Sequence, residues 1–208
     1  MKDNSSVLPE AAALTPNTQR IGLGIDVHAF APVEAQRALI LGGVTIEHER
    51  GLAGHSDADV LVHAVMDALL GAARISGAED IGALFPDTDS TYKNADSLVL
   101  LAAVRDKLAA AGYKIIDLDC VLVAQAPRLS PYREQMRANL ARVLNLAPEQ
   151  VGVKATTTER LGFEGREEGI SAHAVALVEA VAPQQSDSSA QSKSAPSQNT
   201  TSPQAERP

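Results

Sequence analysis

Hydrophobic positions along the chain keep two rhythms, and they alternate. Residues 20–30 read as a strand whose period of two sets Asp26 and His28 side by side on one face. Residues 39–46, interrupted at Gly42-Gly43, predict a second strand with a bulge or a sharp bend. From residue 56 to about 73 the rhythm turns helical, with Val60, Leu61, Val65, Ala68 and Leu69 as its apolar positions. Ser56 followed three residues later by Asp59 predicts a capping-box-like start for that helix. Residues 77–89 form a long connection rich in turn residues, a length at which loops are often functional.

A second helix is expected over 94–111, its stripe made by Leu98, Leu101, Ala102 and Leu108 and its end set by Gly112. Residues 113–125 are too continuously apolar for a strand with one wet face, which predicts a central strand. Ser130-Pro131 supplies an N-cap and an N1 proline for a third helix to about residue 144. Strands over 150–157 and 170–181 flank a glycine-rich, charged loop at 161–169. No GxGxxG or GxxxxGK[ST] run accompanies the alternation. The expected class is α/β, an α+β sandwich: one domain with a mixed β-sheet and helices packed on one face.

Composition narrows this picture. The 208 residues are 45% hydrophobic but only 3% aromatic, enough for one ordinary core. A formal charge of -8 without any Lys/Arg-rich run argues against a nucleic-acid surface. No apolar run approaches the roughly 20 residues needed to span a bilayer, so no membrane partner is expected. The single cysteine, Cys120, excludes an internal disulfide and reads as a small buried hydrophobe, in keeping with a cytoplasmic protein. Residues 1–19 lack the pattern of a signal or transit peptide, and 183–208 are rich in Ser, Gln and Pro. Both are expected to be disordered extensions of a domain at 20–182.

Three groups could carry chemistry. Asp26, His28 and His63 make a mixed carboxylate and imidazole set suited to zinc with a fourth position open; the plain alternative is that they are surface or core groups, which two histidines and an acid more often are. His55 and Ser56 stand at the expected helix start, where N–H groups and the helix dipole favour a phosphate; an ordinary helix cap is the alternative. In Lys154-Ala155-Thr156-Thr157-Thr158-Glu159, hydroxyls could meet phosphate oxygens and Glu159 could hold magnesium. The plain alternative there is a β-branched strand end. His48 and His173 read as structural or exposed.

Taken together, six stretches resemble the 2-C-methyl-D-erythritol 2,4-cyclodiphosphate synthase family. They are Gly24-Ile25-Asp26-Val27-His28-Ala29-Phe30, Ala53-Gly54-His55-Ser56-Asp57-Ala58-Asp59, Asp80-Ile81-Gly82, Leu84-Phe85-Pro86-Asp87-Thr88-Asp89, Ala124-Gln125-Ala126-Pro127 and Lys154-Ala155-Thr156-Thr157-Thr158-Glu159-Arg160-Leu161-Gly162-Phe163. They run in the family's order and cover essentially all of residues 20–181.

The resemblance implies a metal-dependent lyase of non-mevalonate isoprenoid biosynthesis, converting 4-diphosphocytidyl-2-C-methyl-D-erythritol 2-phosphate to the cyclic diphosphate and CMP. It implies zinc on Asp26, His28 and His63, and magnesium or manganese with the substrate diphosphate at Glu159. His55 and Thr157 would be catalytic. Substrate contacts would come from Asp26, Val27, His28, His55 and Ser56, and from Asp80, Ile81, Gly82, Phe85, Pro86, Asp87, Thr88 and Asp89 toward the methylerythritol. Ala124, Gln125, Ala126, Pro127, Arg128, Leu129, Ser130, Thr156, Thr157, Thr158 and Glu159 would line a cytidine pocket, with Phe163 and Arg166 completing the site. A homotrimer with sites at its subunit interfaces is implied as well.

Three positions depart from the pattern. Residues 74–79 lengthen the lead into Asp80, Arg128-Leu129-Ser130 replaces a lysine-containing run, and Ile25 stands where an aromatic often lines the trimer's central cavity. An isoprenoid diphosphate site reported there in some members carries over only weakly, through Arg166 and Glu168. Two rival functions use the same residues. One is a zinc-dependent phosphoanhydride hydrolase with water as nucleophile. The other is a non-catalytic zinc-stabilised trimer, disfavoured because structural zinc usually takes four protein ligands and three are found.

Overall fold

A computed structural model of the chain describes residues 18–86, 88–92 and 95–181. The expectations for the two termini, beyond residues 18 and 19, and for Asp87 lie outside the described residues. The central sheet has the order β1 (Gln19–Ala29), β6 (Gly169–Ala180), β4 (Tyr113–Val123), β5 (Val151–Thr156). Strand β6 runs antiparallel to both β1 and β4, while β4 and β5 are parallel. The mixed sheet is the expected one, and β4 lies inside it as its continuous hydrophobicity requires.

Residues 39–46 are not one bent strand but a hairpin, β2 (Leu39–Leu41) and β3 (Val44–Ile46). Gly42 and Gly43 at its tip have φ of 59° and 67°. Two successive positive φ values are what a tight two-residue hairpin turn needs, and glycine adopts them without steric cost.

Helix α1 (Val60–Ala73) packs on β1 and β6 and is buried nearly all round, because α3 (Ser97–Ala110) covers another of its sides; α4 (Arg133–Leu144) packs on α3 and on β5. Its approach to β1 depends on glycines: a Cβ on Gly24 would stand 2.0 Å from the Ala64 carbonyl oxygen, and one on Gly22 2.0 Å from that of Ala68. The helix begins later than the capping-box reading placed it. Asp59, not Ser56, is the N-cap, its Oδ1 accepting from Val62 N–H at 3.1 Å.

The Asp59 carboxylate also accepts from Gly42 N–H at 2.9 Å and Gly43 N–H at 2.7 Å, which ties the hairpin tip to the start of α1. Burial pushes Asp59 up to about 6, against these backbone donors, and the charge of Asp57 adds to the rise. The third expected helix is corrected too. Tyr132 N–H first closes a turn on Leu129 O, so α4 starts at Arg133, while Ser130 Oγ accepts from Arg128 Nε instead of capping.

Two short helices, α2 (Ile81–Leu84) and α5 (Gly162–Gly165), occupy stretches expected as loops. The core lies between the sheet and α1, α3 and α4, with Leu61, Leu69, Leu101, Leu118, Leu122 and Met136 fully buried. Cys120 behaves as the small hydrophobe expected: it is buried, its Sγ donates to Gly152 O, and burial pushes the thiol up to about 12. The other face of the sheet carries no helix among the described residues, and Ile21, Leu23, Ile25, Val27 and Val175 stand exposed on it. No helix among the described residues is long and apolar enough to cross a membrane.

Candidate metal centre and binding clefts

Alternate positions of β1 and the first turn of α1 meet where the glycines let strand and helix close up. There Asp26 Oδ2 lies 3.0 Å from His28 Nε2 and 3.1 Å from His63 Nδ1, and the two ring nitrogens are 3.2 Å apart. In a tetrahedral zinc site with bonds of ~2.0–2.1 Å, neighbouring ligand atoms are separated by roughly 3.3 Å. The three atoms therefore fit one face of such a site, leaving its apex open.

The outer ring nitrogens decide which lone pairs are offered. His28 Nδ1 lies 2.6 Å from Ala53 O, so it carries the proton and Nε2 is the donor atom. His63 Nε2 lies 3.1 Å from both Ser56 Oγ and Ser97 Oγ, which leaves Nδ1 for the metal. Burial would raise the pKa of Asp26, but hydrogen bonds and charge from His28 and His63 hold its carboxyl well below the usual carboxylate range. Burial would lower that of His28, yet Asp26 and the Ala53 carbonyl outweigh it and the charge of Arg37, so it lies above the ordinary histidine value.

The triangle opens into a cleft of about 290 Å³ that also takes in Gly54, His55, Ser56, Ile81, Gly82 and Phe85. Sequence reasoning missed three of its walls, Met66, Tyr92 and Leu100. Met66 could have been found, three residues beyond His63 on the same helix. Tyr92, edge-on to Phe85 at 5.2 Å, and Leu100 carry no signature of their own.

Several expected residues stand elsewhere. His55 and Ser56 are not at a helix N-terminus but in the turn before it, Ser56 Oγ accepting from Ala58 N–H at 3.1 Å. At the N-terminus of α1 itself it is the Asp59 carboxylate that meets the helix dipole. The side chain of Val27 projects to the opposite face of the sheet, away from its neighbours Asp26 and His28. Asp80 caps α2 through Ala83 N–H at 2.7 Å, and Asp89 accepts from Thr91 N–H at 2.9 Å. Neither these two nor Pro86 and Thr88 line the cleft.

A second cleft, of about 490 Å³, lies at the ends of β4 and β5. It gathers Ala124, Gln125, Ala126, Pro127, Arg128, Leu129 and Ser130 with Thr156 and Thr157, and adds Arg133. Thr157 Oγ1 donates to Glu159 Oε1 at 2.8 Å. Thr158 turns away, its hydroxyl on Leu161 O, and Arg166 pairs with Glu168 at 2.8 Å. Thr158, Glu159, Phe163 and Arg166 are thus outside the lining of this cleft, and the two clefts share no residue. A larger hollow of about 740 Å³ between the ends of α3 and α4 holds none of the expected site residues. His48 stacks on Phe30 at 5.1 Å, a structural role as expected.

Residues 19–179 match the model of the YgbB family. The 2-C-methyl-D-erythritol 2,4-cyclodiphosphate synthase of Syntrophomonas wolfei is 58% identical over 160 residues, 77% of this chain and 98% of that protein. The bifunctional IspDF from Campylobacter jejuni superposes with a TM-score of 0.72 at 43% identity, over 78% of this chain and 42% of that one. IspF of Plasmodium falciparum, solved as a CDP complex, gives a TM-score of 0.67 at 33% identity, over 81% of this chain and 100% of that one.

Proposed function

The chain belongs to the YgbB family, and on that premise we propose that it carries 2-C-methyl-D-erythritol 2,4-cyclodiphosphate synthase activity in isoprenoid biosynthesis. The substrate's 2-phosphate attacks its own β-phosphorus and CMP leaves. One observation carries the reading: Asp26, His28 and His63 turn three lone pairs toward a cleft that also holds His55 and Ser56. Zinc on those three residues would supply Lewis-acid polarisation of a phosphate oxygen, and magnesium or manganese at Glu159 would offset diphosphate charge.

The residues themselves have positioning to do, because an intramolecular displacement needs no protein nucleophile. His55 and Ser56 would hold the reacting phosphate, and Ile81, Gly82 and Phe85 the methylerythritol. Met66, Tyr92 and Leu100 make the cleft wall apolar, which keeps water from competing with the 2-phosphate. The second cleft would take the cytidine, a reading supported by the CDP in the Plasmodium falciparum relative. Thr157, already in the reach of Glu159, would meet the phosphate of the leaving CMP.

Assembly into a homotrimer has two supports. Ile21, Leu23, Ile25, Val27 and Val175 form an exposed apolar face of the kind that marks an interaction surface. The metal and cytidine clefts are also separate within one chain, so a site that spans both would join neighbouring copies. The test is product analysis with the authentic diphosphocytidyl substrate, together with metal content and sedimentation of the pure protein. Cyclic diphosphate and CMP from a zinc-bearing trimer are expected; hydrolysed monophosphates would favour the phosphohydrolase instead.

A further inference from the structure

His63 Nε2 has two hydroxyls at the same distance, 3.1 Å, and only one proton to give. The surroundings of the two serines differ. Ser97 Oγ donates to Asp57 Oδ1 at 2.5 Å, and Ser97 N–H donates to Asp57 Oδ2 at 3.0 Å. With its proton committed to the carboxylate, this hydroxyl can only accept from the imidazole. Ser56 Oγ accepts from Ala58 N–H and sits in the cleft lining, so its own proton remains available there. Ser97 is fully buried and lies at the first turn of α3, outside every motif that the sequence singled out.

We propose, resting on the metal reading above, that Ser97 and Asp57 are positioning residues for the metal: together they keep the proton of His63 on Nε2 and so present Nδ1 as a ligand. A carboxylate behind a hydroxyl behind a histidine fixes the ring's tautomer and orientation, as outer-shell partners of metal-binding histidines do. The same pair fastens two segments to each other. Asp57 N–H donates to Ala95 O at 3.2 Å, so the turn bearing His55 and Ser56 is held to the start of α3 by the groups that orient His63. Ser56 is thereby left to the substrate.

The test is a chelator-competition titration of cobalt(II) on the folded protein, read by its visible d–d absorption. Ser97→Ala should weaken cobalt binding about 10–100-fold and perturb the spectrum. Ser56→Ala should stay within roughly threefold of wild type, since Ser97 remains to accept the proton. Asp57→Asn keeps the volume but faces an amide N–H toward one of the two Ser97 donors. It should therefore weaken binding as Ser97→Ala does, whereas Ser97→Thr should restore most of it.

A Ser97→Ala protein that folds and binds cobalt like wild type overturns the inference, as does loss of binding in Ser56→Ala and not in Ser97→Ala. Should Ser97→Ala fail to fold, wild-type affinity in Asp57→Asn does the same. Wild-type protein that takes up no cobalt brings down the metal reading itself, and this inference with it.

Discussion

The cleft at Asp26, His28 and His63 and the one proposed for cytidine differ in how much is settled before anything binds. In the first, each ring nitrogen has its partner: His28 Nδ1 rests on Ala53 O, His63 Nε2 on a serine hydroxyl, and Asp26 lies between the inner two. These side chains come from a strand and a helix locked by glycine contacts, and rigid elements hold a site more tightly than loops do. The second is made of strand ends and the connection after β4, and its lining residues Thr156 and Thr157, like Glu159 nearby, are exposed. There Thr157 bonds to Glu159 and Thr158 to Leu161 within one stretch, and two backbone donors tie that stretch to the connection after β4: Arg160 N–H to Gln125 Oε1 at 3.1 Å and Ala124 N–H to Thr156 O at 3.0 Å. The first cleft's polar side chains are fixed by the core, whereas the second cleft's hydroxyls and carboxylate face solvent.

His63→Ala strikes the settled end and carries the largest expected effect. With Asp26 and His28 left as the only ligands, zinc should fall below about a tenth of an equivalent per chain. Product formation should drop by at least ~10²-fold, the scale on which loss of charge stabilisation acts. The fold should survive, since α1 is held by Leu61, Leu69 and Leu70. Atomic absorption on the purified variant, next to its melting curve, checks both halves. Stoichiometric zinc in that variant would break the contrast, because the metal would then not depend on the triangle.

How much of this was legible in the sequence follows the same line. Asp26 and His28 could be read as neighbours because a strand's period of two is a local rule; that His63 joins them was implied by the resemblance, since the packing of α1 on β1 is a long-range fact that no local pattern carries. The start of α1 was misread because Ser56 and Asp59 both satisfy a capping pattern. What decides between them is that Asp59 is also needed by Gly42 and Gly43, a contact 16 and 17 residues away. Ser97 was invisible for the same reason: a serine at a helix start looks like any other until Asp57 and His63 are known to surround it. In β1 the usual rule is inverted. Ile21, Leu23 and Ile25 are exposed while Gly22 and Gly24 face α1, since only glycine admits the helix that closely.

Thr157→Ala tests the unsettled end, with a smaller expected effect. If its hydroxyl meets phosphate charge only as CMP departs, kcat should fall about 10–100-fold while KM changes little. Thr157→Ser keeps the hydroxyl and should recover much of the rate. Metal content should stay at the wild-type level in both, because no residue is shared between the clefts. Steady-state kinetics with metal analysis on the same samples measures this, and zinc lost from Thr157→Ala would mean that the two ends are built as one.

The smallest effect expected is on pH, and it sharpens what is meant by a settled metal end. Without metal, His28 has a pKa raised above its ordinary 6.5 by the Asp26 pair, against the pull of burial. A raised histidine contributes stability that is full below 6.5 and is lost as pH rises through the folded value. Asp26 is depressed from 3.8, so its contribution is full above that value and is lost as pH falls toward the folded one. The metal-free protein should therefore melt highest in the window between, and its melting temperature should decline as pH is raised past 6.5. Metal uptake asks the opposite, since His28 must give up its proton for Nε2 to become a ligand. The rise in melting temperature on adding zinc should thus grow over the same interval in which the metal-free protein weakens. Melting curves with and without zinc across that range, repeated with His28→Ala, measure the gap directly: in the variant both trends should flatten. A zinc-dependent rise that is constant with pH in the wild type would mean that His28 enters the site already neutral, and the Asp26 pair would then not be what holds it in place.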